Sequence, residues 1–248
     1  MVAKALHLLR AVGSHPEGVG VSELAREVGA PASTVHRLLQ DLVATDFVER
    51  DADLRTYGLG IMVFQLANQF AENRGFSTVA RPLMQQLTAT TGFHSLIATR
   101  HGTDLVYLEH VHAPGVLQVR GHAGQRSALH ATAMGKVMLA SLSEPELFAL
   151  LEVLRLDPFT AATITDVGHL VAELERVRER GWATNDQEHE EGVVACAVPV
   201  AHGPQVIAAL CVATPLIGGV KPDLIASLDV VRATAREIGL RLPRWSVP

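Results

Sequence analysis

The stretch VSELAREVGAPASTVHRLLQDL, residues 21–42, decides the fold. Leu24, then Val35, Leu38, Leu39 and Leu42 recur at helical spacing, with Gly29 and Pro31 between the two runs. Glycine takes a left-handed backbone at least cost and ends the first helix; proline lacks an N–H that the first turn of the second does not need. Ser22 is the expected cap of the first helix, its hydroxyl accepting a first-turn N–H. Counted from Val21, the fifth residue is Ala25, the ninth Gly29, the fifteenth Val35 and the eighteenth Leu38. A helix-turn-helix needs a small residue at the close contact, a glycine in the turn, and branched apolar residues seating the second helix on the first.

The outward positions of the second helix are Ser33, Thr34, His36, Arg37 and Gln40, close to its N-terminus. A helix start offers unpaired N–H groups and partial positive charge to phosphate. Arg37 can reach guanine edges or phosphate, and Ser33 and Thr34 can bond either. Working outward, residues 3–13 set Ala5, Leu6, Leu8, Leu9 and Val12 on one side of a helix ending at Gly13, and 14–20 (SHPEGVG) is a loop. Beyond the second helix, Phe47 and Val48, a polar turn at 51–53, then Tyr57 and Leu59 read as a short β-hairpin in the wing position. A surface helical hairpin with a chance Ser/Thr/Arg face would have the same composition; the following hairpin favours DNA. Ser22 and Arg55 complete the candidate DNA-facing set.

Charge argues the other way. The net charge is −5, and residues 1–59 carry six Lys/Arg against eight Asp/Glu. Binding DNA then requires basic residues gathered on one face and doubled by dimerisation. A winged-helix adaptor that binds protein instead of DNA fits the acidic balance and is the alternative reading.

Residues 60–75 predict a connector helix with Met62, Val63, Leu66, Ala67 and Phe70 along one side. From 76 the pattern changes. A helix near 77–91 precedes strand-like runs FHSLIATR (93–100), DLVYLEHVH (104–112) and LQVR (117–120). Helices follow near 132–141, 144–151 and 166–180, then strands at 193–202 and 206–214 about a turn at Gly203–Pro204, and a closing helix near 221–239. Strands at both ends with helices between predict one α+β domain. No apolar run approaches the ~20 residues of a membrane span. The amphipathic N-terminus lacks a signal pattern, and Cys196 and Cys211 in apolar runs suit reduced, buried thiols, so a cytoplasmic protein is expected.

Residues 131–136 (ATAMGK) start a helix with side chains small enough for close approach to its N–H groups, and Thr132 lies alongside. That suits a carboxylate, although small residues there would equally serve packing against the sheet. Catalytic motifs fail one by one. GxxxxGK needs glycine where His130 stands, and HExxH needs histidine at Val193. There is no GxSxG. Glu188, Glu190 and Glu191 read as a solvated strand-entry loop. His110 and His112, two apart on a strand, share a face. With His101, His122 and His130 near in sequence, they read as sheet-edge histidines, zinc being the lesser alternative; no metal or cofactor is expected.

Residues 1–59, the connector, and the runs LHATAMGKVMLA (129–140), GWATNDQEHEEGVVACAVPV (181–200) and VIAALCVATP (206–215) together resemble the IclR-type transcriptional regulators. The resemblance spans essentially the whole chain. It implies an α+β protein: an N-terminal winged helix-turn-helix over 1–59, a linker helix over 60–75, and a GAF/PAS-like α/β effector-binding domain over 76–248. It also implies a non-enzymatic dimer, or dimer of dimers, on double-stranded DNA with a pseudo-palindromic operator, modulated by a small organic-acid-like effector. Carried over by position, the recognition helix is Ala32–Ala44 and the wing roughly Arg50–Tyr57. The implied effector pocket comprises Val119, Ala131, Thr132, Ala133, Met134 and Gly135, with Asn185, Val193, Cys211 and Ala213. Many relatives have Asp where Asn185 stands and Cys where Ala195 stands, so the effector cannot be copied from a relative.

Overall fold

In the computed structural model, which describes residues 1–73, 75–115, 119, 121–216 and 223–242, the opening stretch forms two helices meeting at a glycine. The chain divides into two units, Met1–Ala71 and Glu72–Pro248. The first begins with α1 (Val2–Gly13), α2 (Val21–Glu27) and α3 (Ala32–Ala44). Gly29 has φ +62°, which lets the Ala30 N–H return to the Ala25 carbonyl at 3.0 Å and close α2 with a Schellman-type turn. Two cap expectations are corrected. Gly20, not Ser22, is the N-cap of α2, because Leu24 N already bonds Gly20 O; Ser22 is an exposed residue inside the helix. Pro31 is the N-cap of α3 and offers its carbonyl to Val35 N, so the helix proper starts one residue later.

Strands β1 (Val48–Asp51) and β2 (Thr56–Leu59) form the antiparallel wing, with Arg50 opposite Tyr57. Val19 and Tyr57 exchange backbone hydrogen bonds of 3.0 and 2.9 Å, pinning the loop before α2 to the wing. The core under these elements is Leu8, Val12, Leu24, Val35, Leu39 and Tyr57. Leu6, expected on the buried side of α1, is 56% exposed. It lies two residues from Leu8, about 200° around a helix, so the two cannot share a face. Helix α4 (Ile61–Asn73) follows. Met62 and Val63 are half-buried, but Ile61, Phe64 and Leu66 are exposed.

The second unit is a six-stranded antiparallel sheet with helices on both faces. Its elements in order are α5 (Arg81–Thr91), β3 (His94–His101), β4 (Asp104–Val111), β5 (Arg126–Ala128), α6 (Ala133–Ala140), α7 (Glu144–Leu151) and α8 (Val167–Arg180). Then come β6 (Ala183–Asp186), β7 (Val193–His202), β8 (Gln205–Pro215) and α9 (Leu228–Arg241). Across the sheet the order is β5-β4-β3-β8-β7-β6. The helix expected from 77 starts at Arg81, after a wider π-type turn over Phe76–Ala80. Of the strand expected at 117–120, only Val119 falls within the described residues, and 221–222 of the expected closing helix also lie outside them. The short strands β5 and β6 were not legible as strands, because neither has an alternating apolar pattern.

Alternation on β8 builds two cores. Ala209, Cys211 and Ala213 face α6 and α8, while Ala208, Leu210 and Val212 face α5 and α9. The α6 side of the sheet is small (Ala195, Ala197, Ala209, Ala213), so α6, all eight residues of which are buried, lies close to it. Between β3 and β4 the register slips: Ile97 faces Glu109 but Ala98 faces Tyr107, leaving Leu108 as a bulge. The extra residue changes the parity of β4, so Tyr107 and His110, three apart, both point to the α6 side. Among the described residues no helix is long and apolar enough to cross a membrane.

Candidate functional site

Two regions gather the residues singled out from sequence. The first is the outer face of α3. Val35, Leu38, Leu39 and Leu42 are buried, which leaves Ser33, His36, Arg37 and Gln40 exposed at the i, i+3, i+4, i+7 positions of one stripe; Thr34 is half-buried. The Arg37 guanidinium lies 3.5 Å from the Met1 sulfur. Ser22 is exposed on α2, and Arg55 is exposed at the wing turn with φ +55°. The Asp51 carboxylate holds that turn by accepting the N–H groups of Asp53 and Leu54, both at 2.9 Å.

The second region is a small cavity of about 40 Å³ between the sheet and the first turn of α6. It brings together Val119, Thr132, Ala133, Met134, Asn185, Val193, Cys211 and Ala213, but not Ala131 or Gly135. Gly135 has another duty: a Cβ there would meet the Leu129 carbonyl oxygen at 2.2 Å, so glycine is what lets α6 cross that backbone. Thr132 caps α6, its hydroxyl accepting from Gly135 N at 3.1 Å and donating to Ala128 O at 2.8 Å. The Ala133 and Met134 N–H groups, first in the helix, have no intrahelical acceptor. Sequence reasoning missed Leu96, Tyr107, His189, Glu190 and Ala195, which complete the lining. Leu96 and Tyr107 come from strands whose face is set by the bulge, a feature that leaves no sequence pattern.

Burial raises the pKa of the Tyr107 phenol, with a smaller opposing effect from its hydrogen bond to Ser127. Burial also pushes the Cys211 thiol well up, which makes it a poor nucleophile. His189 lines both this cavity and a neighbouring cleft of about 400 Å³. Its Nε2 is 3.1 Å from the Ser127 hydroxyl, and its ring packs on Phe159 at 4.9 Å. Burial lowers its pKa, as it does that of His130, whose Nε2 is 3.0 Å from the Asp157 carbonyl.

The loop after β6 overturns the solvated reading of Glu188. Both its carboxylate oxygens accept from Lys136 Nζ, at 2.7 and 2.8 Å, and both side chains are buried. Asn185 Oδ1 accepts from Glu188 N at 2.8 Å, and the hydroxyls of Thr160 and Thr163 donate to Gln187 O and Glu188 O at 2.7 and 2.6 Å. Of the three glutamates, only Glu191 is exposed; Glu190 is half-buried in the cavity wall. His101 and His122 are exposed, apart from the buried His130.

A helix-turn-helix with a wing in one unit and a separate cavity-bearing sheet domain in the other define a winged-helix transcriptional regulator. Residues 1–52 match the IclR helix-turn-helix domain, and residues 69–240 match the bacterial transcriptional regulator IclR C-terminal domain. The chain belongs to the IclR family of bacterial transcriptional regulators. It is 31% identical over 224 residues to the HTH-type transcriptional repressor AllR of Escherichia coli K12, covering 90% of this chain and 82% of AllR. The fold is shared with an IclR transcriptional regulator from Alicyclobacillus acidocaldarius, at TM-score 0.84 and 26% identity over 96% of each chain. An IclR homologue from Microbacterium hydrocarbonoxydans, complexed with 4-hydroxybenzoate, has the same fold at TM-score 0.83 and 21% identity over 96% and 97% of the chains.

Proposed function

We propose that this regulator binds a pseudo-palindromic operator as a homodimer or dimer of dimers, and that a small organic acid in the cavity beside α6 sets its operator affinity. The observation that carries the reading is the cavity itself: it meets the start of α6 at Thr132, Ala133 and Met134, where N–H groups favour a carboxylate, and its other walls are largely apolar. Residues 1–59 are the DNA-binding domain, 60–75 the linker and 76–248 the sensor. Ser33, Thr34, His36, Arg37 and Gln40 face the major groove, and Ser22 and Arg55 flank it. The exposed Ile61, Phe64 and Leu66 of the linker are suited to burial between protomers. A dimer would also double the basic contribution of an acidic domain. The protein acts in the cytoplasm, where its operator lies, and as a regulator without catalysis, in keeping with the family that both of its domains match.

At about 40 Å³ the cavity holds no more than a few waters, so an effector must enlarge it. Displacing His189, which lines both spaces, would join it to the larger cleft. The effector would select this opened form, and a coupling of ~1–3 kcal/mol would change operator affinity ~5–150-fold. The first test is capture of sheared genomic DNA on the purified protein at near-physiological salt, with Arg37→Ala as control. A two-fold-related site enriched by the native protein and lost in the variant supports the DNA assignment. Small carboxylic acids that raise the melting temperature are then titrated against that site. An acid that saturates the protein and leaves operator affinity unchanged refutes the switch.

A further inference from the structure

Three histidines meet on the sheet face that lines the cavity. His94 is two residues before Leu96 on β3 and therefore on its face; His110 is the cross-strand partner of Leu96 on β4, and His112 follows two residues later. His94 and His110 are buried, and His112 is exposed. The ring centroids are 3.8 Å apart for His110 and His112, 5.6 Å for His94 and His110, and 5.8 Å for His94 and His112. One ring nitrogen from each lies within 4.8 Å of the other two. The bulge at Leu108 is what puts His110 and His112 on this face.

His110 supplies a second, independent observation. Its Nδ1 is 2.5 Å from the Gly121 carbonyl oxygen, which can only accept, so the ring proton is on Nδ1. That leaves Nε2 as a bare lone pair, and this buried atom has no hydrogen-bond partner among the described residues. An orphaned buried acceptor gives up its bond to water and gains none in return. A backbone carbonyl orienting one ring nitrogen while the other stays bare is also how metal-bound histidines are held.

We infer that His94, His110 and His112 form a three-histidine site for a zinc-class divalent transition-metal ion beside the cavity. Zn–N bonds of 2.0–2.1 Å in a tetrahedron place ligand nitrogens about 3.3 Å apart, a closure within reach of side-chain rotation. His94 would give up the long 3.3 Å contact that its Nδ1 accepts from Ala113 N. An all-imidazole set favours zinc, copper or nickel over calcium or magnesium. The nearest carboxylate in sequence, Glu109, is paired with Arg81 at 2.8 Å. Three protein ligands leave the fourth position for a water or another small oxygen ligand. This revises the sequence expectation of no metal, because His94 comes from a different strand.

The test uses the untagged full-length chain, stripped with chelator and titrated with Zn²⁺ by calorimetry and with Co²⁺ by visible absorption. One ion per chain is expected, with a tetrahedral cobalt spectrum that zinc displaces. His112→Ala, at an exposed position that leaves the fold intact, and His110→Ala should each weaken binding by roughly 100-fold or more. His101→Ala, also exposed, should bind as the native chain does. Absence of stoichiometric binding, or binding that survives in His112→Ala and His110→Ala, overturns the site. A melting temperature raised by Zn²⁺ in the native chain and not in His112→Ala would support it without relying on a spectrum.

Discussion

Lys136 donates to both carboxylate oxygens of Glu188, at 2.7 and 2.8 Å, with the lysine side chain 2% exposed. The pair ties α6, whose first turn lines the cavity, to the loop carrying His189 and Glu190 on the opposite wall. Removing one partner of a buried ion pair leaves the other charged and desolvated, at a cost of about 3–5 kcal/mol. Lys136→Met or Glu188→Leu alone should therefore lower the melting temperature of the sensor domain by about 2–4 °C per kcal/mol. The double variant Lys136→Met/Glu188→Leu should recover most of the loss, since neither charge is stranded. A double-mutant cycle by thermal denaturation measures this, and additive losses would show that the ion pair itself matters little.

Arg37 is exposed on α3 while Leu39, two residues on, is buried, so the two positions should separate binding from folding. Arg37→Ala should weaken operator binding by ~1–3 kcal/mol if it reads a base. If it contacts phosphate alone, the log–log salt slope should fall by about 0.9. Either way the melting temperature should hold. Leu39→Ala should cost about 2–5 kcal/mol of stability through the cavity it leaves. Fluorescence anisotropy across a salt series, run beside urea unfolding, distinguishes the cases.

The first unit was legible because one period decided it. Val35, Leu38, Leu39 and Leu42 define a single face, Gly29 ends the preceding helix, and α3 runs Ala32–Ala44, the bounds that the family resemblance implies for the recognition helix. The second unit hid its chemistry in long-range pairing. Glu188, Glu190 and Glu191 of EHEEGVV, 188–194, read as a solvated loop; the burial of Glu188 depends on Lys136, 52 residues away in the chain. The meeting of His94 with His110 and His112 depends on strand register and on a bulge at Leu108. Neither leaves a local pattern, so neither could be read before the strands were paired.

Stability of the sensor domain should fall on both sides of neutrality. His130 and His189 have folded pKa values below the unfolded value near 6.5, mainly through burial. Below that pH the unfolded chain binds protons that the folded chain refuses, so stability is lost as the pH falls. Cys196 is pushed up to about 11 by burial. Above its unfolded value near 9 the unfolded thiol ionises while the folded one stays protonated, so stability is lost as the pH rises. Each group contributes a slope of at most about 1.4 kcal/mol per pH unit. Urea midpoints from pH 5 to 10 should trace this dome. His189→Gln should flatten the acidic side and Cys196→Ala the alkaline side. An unchanged acidic side in His189→Gln would remove that histidine from the account.

Gly135 and Thr132 hold the start of α6 in different ways, and the difference can be measured. A Cβ at Gly135 would stand 2.2 Å from the Leu129 carbonyl oxygen and 2.5 Å from the Leu129 Cα, both backbone atoms. Gly135→Ala must therefore move the helix away from that backbone, at about 1–3 kcal/mol. Thr132→Val keeps the shape but removes the hydroxyl that accepts from Gly135 N and donates to Ala128 O. Losing a helix cap costs about 0.5–2 kcal/mol and leaves the helix where it is. If the α6 N-terminus is the carboxylate site, Thr132→Val should retain much of the affinity for an acid found by thermal shift, because the Ala133 and Met134 N–H groups stay in place. Gly135→Ala should lose that affinity along with stability, because it displaces them. Equal affinity in both variants would place the acid away from α6.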